Sequence, residues 1–335
     1  MDAPNNLDEM LLQWREEQIH VSTQVIIPDD PTAVKTFSLG QKEYKAIPND
    51  RHAERLYGGV DVSFPQKEED PAVATYVVLR GSDIVYKDYE SFHLKVPYVS
   101  SYLSFREIDP LERLVKKQLK TLPEFTPEAI LVDGNGILHV RRAGIASFLG
   151  VRTGLKTIGV GKTLYCHDGL SYSLLDRVLE QGVRTLIAKC KSCPVFTESN
   201  KGLIIDGSYI GVASTDEIPA LIEPANMAAM MPDLYQLCSG FSMKLRGKSG
   251  TVWGAALVGH GGKIGNKSQK SRRAGTKNPI IVSVGHRVSL EEAIQICCEV
   301  SNARCPEPVR VADLWGRELI RDSTKGAVPH QIFVK

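Results

Sequence analysis

The sequence predicts an α/β fold in which helices flank a mixed central sheet. Three observations carry that expectation. Three strand-like segments open the core, a stretch of helical period follows them, and two short apolar runs ending in glycine-rich turns come next. Apolar runs of that kind read as parallel strands buried on both faces, which need helices above and below.

The elements follow in order. An opening helix is expected within NNLDEMLLQWREEQIH, where Leu7, Met10, Leu11, Trp14 and Ile19 fall near helical spacing. GGVDVSF alternates Val60, Val62 and Phe64 against Asp61 and Ser63, the period-two pattern of a strand with two unlike faces. AVATYVVLR and DIVYKDYESFHL read as the next two strands, joined as a hairpin at Gly81-Ser82-Asp83. From Tyr102 to Leu122 the period turns helical, with Leu103, Ile108, Leu111, Leu114 and Leu119 on one side. Pro110 lies early in that stretch and predicts a kink or a helix start nearby. AILVDGNG would deliver Asp133 to the carboxyl end of a buried strand, and KTIGVGK repeats the pattern up to Lys162. Strands TVWGAALVG and PIIVSVGH and helices SLEEAIQICCEV and PEPVRVADLWGRELIRD close the chain. Three antiparallel strands, a helix, then alternating strands and helices match the ribonuclease H-like order.

One domain is expected over 1–335, with its core at about 55–165 and 250–321. The irregular stretch at about 166–248 reads as an insertion. The basic, glycine-rich stretch at about 261–278 reads as a mobile loop. With 42% hydrophobic and 24% charged residues the composition is that of an ordinary soluble protein. Net charge is +2, too mild to point to nucleic acid, so a basic surface would have to come from local clusters. Arg141, Arg142, Lys244, Arg246, Lys248 and the Lys263–Lys277 loop supply such clusters, and the loop is expected to meet phosphates. No export signal is visible at the N-terminus, and no apolar run approaches the roughly 20 residues that span a bilayer. Seven cysteines cannot all pair, so reduced thiols and a cytoplasmic or nuclear location are expected. Cys190-Lys-Ser-Cys193 is a single CxxC. Structural zinc (Zn2+) there would need two more ligands from Cys166, His167 or Cys238, at a spacing unlike paired knuckles, so free thiols are expected instead.

Three acids stand in unusual settings. Asp61 interrupts an apolar strand, Asp133 ends one, and Glu107 sits in FREID beside helix-core residues. Singly, Asp133 before Gly134 reads as a turn former and Glu107 as a solvated helix residue. Together, three carboxylates converging at one end of a sheet would repel unless a cation neutralised them. Hard oxygen ligands suit Mg2+ or Mn2+, which keep waters and accept phosphate oxygens. By itself this pattern implies a divalent-metal hydrolase.

The wording around the acids is more specific. GGVDVSF, PYVSSYLSFRE, LVDGNGILHVRRAGIASFLGV, IGVGK, VSVGHRVS and PEPVRVAD, in that order, resemble endonuclease V. The resemblance covers about 55–162 and 250–321 and leaves the insertion and both ends unmatched. It implies a ribonuclease H-like fold and cleavage of the second phosphodiester 3′ to inosine (hypoxanthine), leaving 3′-hydroxyl and 5′-phosphate ends. It implies that Asp61, Glu107 and Asp133 hold Mg2+, with Mn2+ able to substitute, and that Asp313 is a fourth acid. Lys162 would meet the scissile phosphate or its developing charge, and His286 would touch the phosphate or position water. Pro97-Tyr98-Val99-Ser100 matches the family's wedge, which inserts where the modified base leaves its stack. Leu103, Gly134, Gly136, His139 and Ile145 would line the base pocket. Val-Ser here, where bacterial relatives read Ile-Pro, resembles the animal branch, which favours inosine-containing RNA.

Plainer readings stand beside these. His286 reads equally as a strand-end histidine bonded to backbone, Tyr98 as a buried residue at a helix start, and Gly134 and Gly136 as a turn. The expected partner is inosine-containing RNA or DNA, met by a monomer. Two alternatives from other classes are a non-catalytic binder of deaminated nucleic acid, and a ribonuclease H-like nuclease acting on junctions or hybrids without base preference.

Overall fold

Helix α1 (Leu7–Gln24) opens the fold and buries Trp14, Gln18 and Val21. That stripe has helical spacing, but it carries a glutamine where the apolar pattern had pointed to Leu7 and Ile19. Both of those are about half exposed instead. The computed structural model describes residues 7–28, 36–39, 42–46, 55–67, 69–176, 203–204, 209–210, 241–258, 279–323 and 332–334. The CxxC at Cys190 and Cys193, Cys238 and the Lys263–Lys277 loop lie outside them.

Strands β1 (Thr36–Leu39) and β2 (Lys42–Ala46) pair with each other, and β2 pairs with β8 (Leu203–Ile204), in a small sheet. The main sheet begins with β3 (Leu56–Ser63), β4 (Ala72–Arg80) and β5 (Asp83–Phe92), three antiparallel strands. As expected, β4 and β5 form a hairpin, turned at Gly81 with φ +59°, a left-handed conformation that suits glycine. Helix α2 (Ser104–Thr121) starts six residues before Pro110, so the proline lies inside the helix and does not begin it. Leu103, expected on the core side, stands just outside the helix and is partly exposed.

Two parallel strands follow, β6 (Ala129–Asp133) and β7 (Thr157–Gly161), linked through helix α3 (Ile145–Thr153). The sheet continues with β9 (Tyr209–Ile210), β10 (Phe241–Arg246), β11 (Val252–Val258), β12 (Ile280–His286) and β13 (Ile332–Val334). The strand order is β13-β5-β4-β3-β6-β7-β12-β11-β10-β9. Helices α4 (Leu290–Glu299) and α5 (Glu307–Ser323) complete the described chain.

Both faces of the sheet are covered. Val60, Tyr76 and Val132 pack with Ile108 and Leu111 of α2 and Phe148 of α3. Tyr57, Leu131, Ile158 and Val282 pack with Ile296 of α4 and Val309 of α5. This is the ribonuclease H-like arrangement that the element order predicted. No helix among the described residues is long and apolar enough to cross a membrane.

Candidate active site

Strand register builds the site. β3 and β6 run parallel with Val60 beside Val132, so the next residues, Asp61 and Asp133, stand side by side. Alternation along β3 turns Gly59, Asp61 and Ser63 toward α5. That helix lies unusually close. A Cβ on Gly59 would fall 2.1 Å from the Pro308 carbonyl oxygen, and one on Gly316 would fall 2.5 Å from Ser63 Oγ. Close contact brings Asp313 of α5 onto the two strand acids. Among the described residues, Asp61, Asp133 and Asp313 each place a carboxylate oxygen within 4.8 Å of the others.

One cation sits in the cluster. Lys162, immediately after β7, has its Nζ 2.5 Å from Asp133 Oδ2 and 3.4 Å from Asp313 Oδ1. Burial works against the ammonium, but the charges of Asp133, Asp313 and Asp61 raise its pKa on balance. Arg317, mostly exposed, pairs with Asp313 at 2.8 Å. One ammonium does not balance three buried or half-buried carboxylates. Burial first, and then Asp133 and Asp313, push the Asp61 carboxyl up to about 8 against the pull of Lys162. Glu107, in the first turn of α2, stands outside the tight cluster, yet it is near enough to respond to it. Burial, then Asp61 and Asp133, raise it to about 8, with Arg106 opposing. Clustered hard oxygen donors with excess negative charge fit a divalent cation held by Asp61, Asp133 and Asp313.

An exposed rim adjoins the acids. Tyr98 is 69% exposed, which rules out its reading as a buried helix-start residue. The Arg106 guanidinium lies 5.7 Å from the Tyr98 ring and 5.6 Å from that of Phe64, itself 45% exposed. Alternation had assigned Phe64 to the buried face of β3, but the strand stops at Ser63 and Pro65 follows. Phe64 is thus a rim residue that strand periodicity concealed, and Arg106 of α2 lies against both rings. Pro97 beside Tyr98 is exposed as well.

Several expected pocket residues have their polar atoms engaged within the fold or their side chains buried. Gly136 donates its N–H to Ser283 Oγ at 2.8 Å and accepts at its carbonyl from Gly144 N at 2.9 Å, so its N–H is not open to a base edge. His139 is buried, with Nε2 3.0 Å from the Ser101 carbonyl and Nδ1 accepting from Arg141 N. Ile145 is buried and packs against Gly134, whose φ is +144°. Of the five, Leu103 alone presents an exposed side chain.

His286 is the clearest correction. β12 runs antiparallel to β7, so His286 pairs with Thr157, the first residue of β7, whereas Lys162 follows its last. The histidine therefore lies at the opposite end of the sheet, about 16 Å from Lys162 along the strand at about 3.3 Å per residue. It is buried, and its Nδ1 accepts from Ile26 N at 3.3 Å, as the plainer reading held. Cys166 is an exposed free thiol, and His167 packs edge-on against Trp253 at 5.1 Å.

Comparison with known proteins agrees with this geometry. The Endonuclease V family model matches residues 41–218 and 199–314. Endonuclease V of Homo sapiens is 32% identical over 318 residues, covering 94% of this chain and 85% of the human protein. The solved catalytic domain of the human enzyme superimposes with a TM-score of 0.65 at 31% identity, covering 96% of this chain and 99% of that one. Ciona intestinalis Endonuclease V, 24% identical, shares the fold with a TM-score of 0.61 over 94% of this chain and 99% of its own. With the family's motifs in order along the chain and three aspartates gathered where β3, β6 and α5 meet, this protein belongs to the endonuclease V family and is an endonuclease.

Proposed function

We propose that this endonuclease cuts the second phosphodiester 3′ to inosine in single-stranded RNA, with DNA as a second substrate, leaving 3′-hydroxyl and 5′-phosphate ends. What supports the reading is one juxtaposition: an exposed tyrosine and phenylalanine flank the helix turn that carries Glu107, beside three aspartates within 4.8 Å of one another. Carboxylates alone suit any phosphodiester. The exposed rings add a means of replacing a base's stacking partner, worth roughly 1–3 kcal/mol per base, and so of lowering the cost of extrusion.

Asp61, Asp133 and Asp313 would hold Mg2+, or Mn2+ in its place, and the ion would lower the pKa of an attacking water and stabilise the leaving oxygen. Glu107, next to the cluster and outside it, would orient that water or receive its proton. Lys162 presents a fixed positive charge to the phosphate as negative charge develops. Tyr98 enters the gap left by the extruded base, and Leu103 forms part of the wall that receives it. The Ciona intestinalis protein was solved with DNA containing an inosine followed by a ribo-adenosine. An inosine followed by a ribonucleotide is accordingly the first substrate to try, because only a ribose offers a 2′-hydroxyl contact.

The test uses matched oligomers with inosine, guanosine or adenosine at one position, each followed by ribose or deoxyribose. The wild-type protein should cut the inosine strand one nucleotide beyond the base. Asp61→Ala should still bind it in Ca2+ and fail to cut it in Mg2+. Full cleavage by Asp61→Ala, or equal cleavage of all three bases, refutes the proposal.

A further inference from the structure

A buried amide outside the acid cluster ties together the two loops assigned above to the base. Gln18 of α1 is fully buried, and all its polar atoms are engaged. Its Nε2 donates to the carbonyl of Ser101 at 3.1 Å and to that of Ala143 at 3.2 Å, and its Oε1 accepts from Arg141 Nε. The Ser101 carbonyl draws two further donors, Arg141 Nη2 at 2.8 Å and His139 Nε2 at 3.0 Å. Ser101 itself holds φ +67°, a left-handed conformation that costs a non-glycine residue free energy and persists where its surroundings enforce it. Its hydroxyl lies 2.7 Å from Tyr165 OH.

The placement of this knot gives it meaning. Ser101 sits in the tight turn closed by Tyr102 N on the Val99 carbonyl, three residues after Tyr98 and two before Leu103. His139, Arg141 and Ala143 belong to the loop that leaves Asp133. Trp14, one helical turn before Gln18, stacks on Phe105 at 4.9 Å, and the Arg141 guanidinium covers the Tyr102 ring at 4.1 Å. Gln18 therefore ties the N-terminal helix to both loops, adding to the direct bonds that His139 and Arg141 make from the loop after β6 to the Ser101 carbonyl, and the separation of those loops would set the width of a base slot between them.

We infer that Gln18 is a positioning residue for base recognition, setting through the Ser101 carbonyl the distance between the Tyr98 turn and the Asp133 loop. The inference rests on the inosine reading for the identity of the base, though not for the clamp itself. A residue that positions substrate, and carries no part of the chemistry, should act on KM far more than on kcat.

The experiment compares Gln18→Met, which keeps length and loses every hydrogen bond, with Gln18→Glu, which keeps the acceptor for Arg141 and loses both donors. Arg141→Met, at a half-exposed position, cuts the other arm if neither Gln18 variant folds. Expected in the full chain are a KM for the inosine strand raised tenfold or more and kcat within about threefold of wild type. Preference over adenosine should shrink in parallel, and amide exchange should speed up at 98–103 and 139–143 while β3 and β6 stay protected. An unchanged KM with unchanged exchange in those loops overturns the inference, as does a fall in kcat at constant KM. If the wild-type protein itself lacks inosine preference, the functional reading falls, and loop exchange with KM for the strand it does cut still decides the clamp.

Discussion

Above about pH 8, where Asp61 is ionised, replacing Asp313 with asparagine should make the metal-free protein more stable, and it should make the enzyme worse. At an effective dielectric constant of about 20, two unit charges 4.8 Å apart repel by about 3.5 kcal/mol. Once Asp61 is ionised, above about pH 8, Asp313 takes part in two such pairs, with Asp61 and Asp133, and recovers about 5 kcal/mol from Lys162 at 3.4 Å. The exposed Arg317 returns only a screened fraction more. The carboxylate thus costs the metal-free fold on the order of 1–2 kcal/mol, and asparagine relieves that cost while Oδ1 still accepts from Lys162 and Arg317. The expected gain in Tm in EDTA at about pH 9 is a few degrees, at no more than roughly 2–4 °C per kcal/mol for a chain of this size. The same change removes one of three negative charges facing a divalent ion, a loss well above the 1.4 kcal/mol or so that makes tenfold. Mn2+ binding should weaken at least tenfold, and cleavage at subsaturating ion should fall by at least that factor. Thermal unfolding across a Mn2+ titration, alongside cleavage of a labelled inosine strand, reads both quantities. A lower Tm in EDTA at that alkaline pH refutes the repulsion argument, and unaltered metal dependence removes Asp313 from the site.

Two further outcomes follow. Tyr98→Ala, at an exposed position, should leave Tm unchanged and weaken binding of the inosine strand in Ca2+ by roughly 5- to 150-fold, the worth of one lost base stack; unaltered affinity would remove Tyr98 from the interface. His139 should make the fold acid-sensitive: burial first, then Arg141, lower its pKa from 6.5 to about 4 against the opposing Ser101 carbonyl. The unfolded chain therefore binds the extra proton between about pH 4 and 6.5, and stability rises with pH across that window by up to about 1.4 kcal/mol per unit. Urea midpoints should show a shallower slope in His139→Asn than in wild type, and equal slopes would contradict this account.

The parts of the fold legible in the sequence are those governed by local period. An apolar run ending in Asp133-Gly134 can be little else than a buried strand handing its last side chain to an edge, and β6 is that strand. The hairpin at Gly81 and the helix over Ser104–Thr121 follow equally from composition. Strand direction does not. His286 and Lys162 both follow apolar runs of similar wording, yet β12 is antiparallel and β7 parallel, so the two side chains leave opposite ends of the sheet. Asp313 was legible only through the family likeness, because its approach depends on Gly59 and Gly316, about 260 positions apart, letting α5 settle on β3.

The same long-range logic explains why His139 and Gly136 resemble binding residues in sequence and have their polar atoms engaged within the fold. A loop that must present an edge to a flexible strand needs its own backbone fixed first, and buried donors and acceptors do that only when every one is satisfied. Gly136 spends its N–H and carbonyl on Ser283 and Gly144, and His139 spends both nitrogens on Ser101 and Arg141. Gln18 completes the set from a helix whose apolar pattern gave no reason to bury it. A glutamine belongs on that buried stripe because Ser101 and Ala143 offer carbonyls there that no leucine could satisfy. Residues near a reacting group in sequence therefore divide by what their polar atoms already hold: those fully engaged fix the shape of the loops, and those left exposed, Tyr98, Leu103 and Phe64, are the ones proposed to meet the substrate.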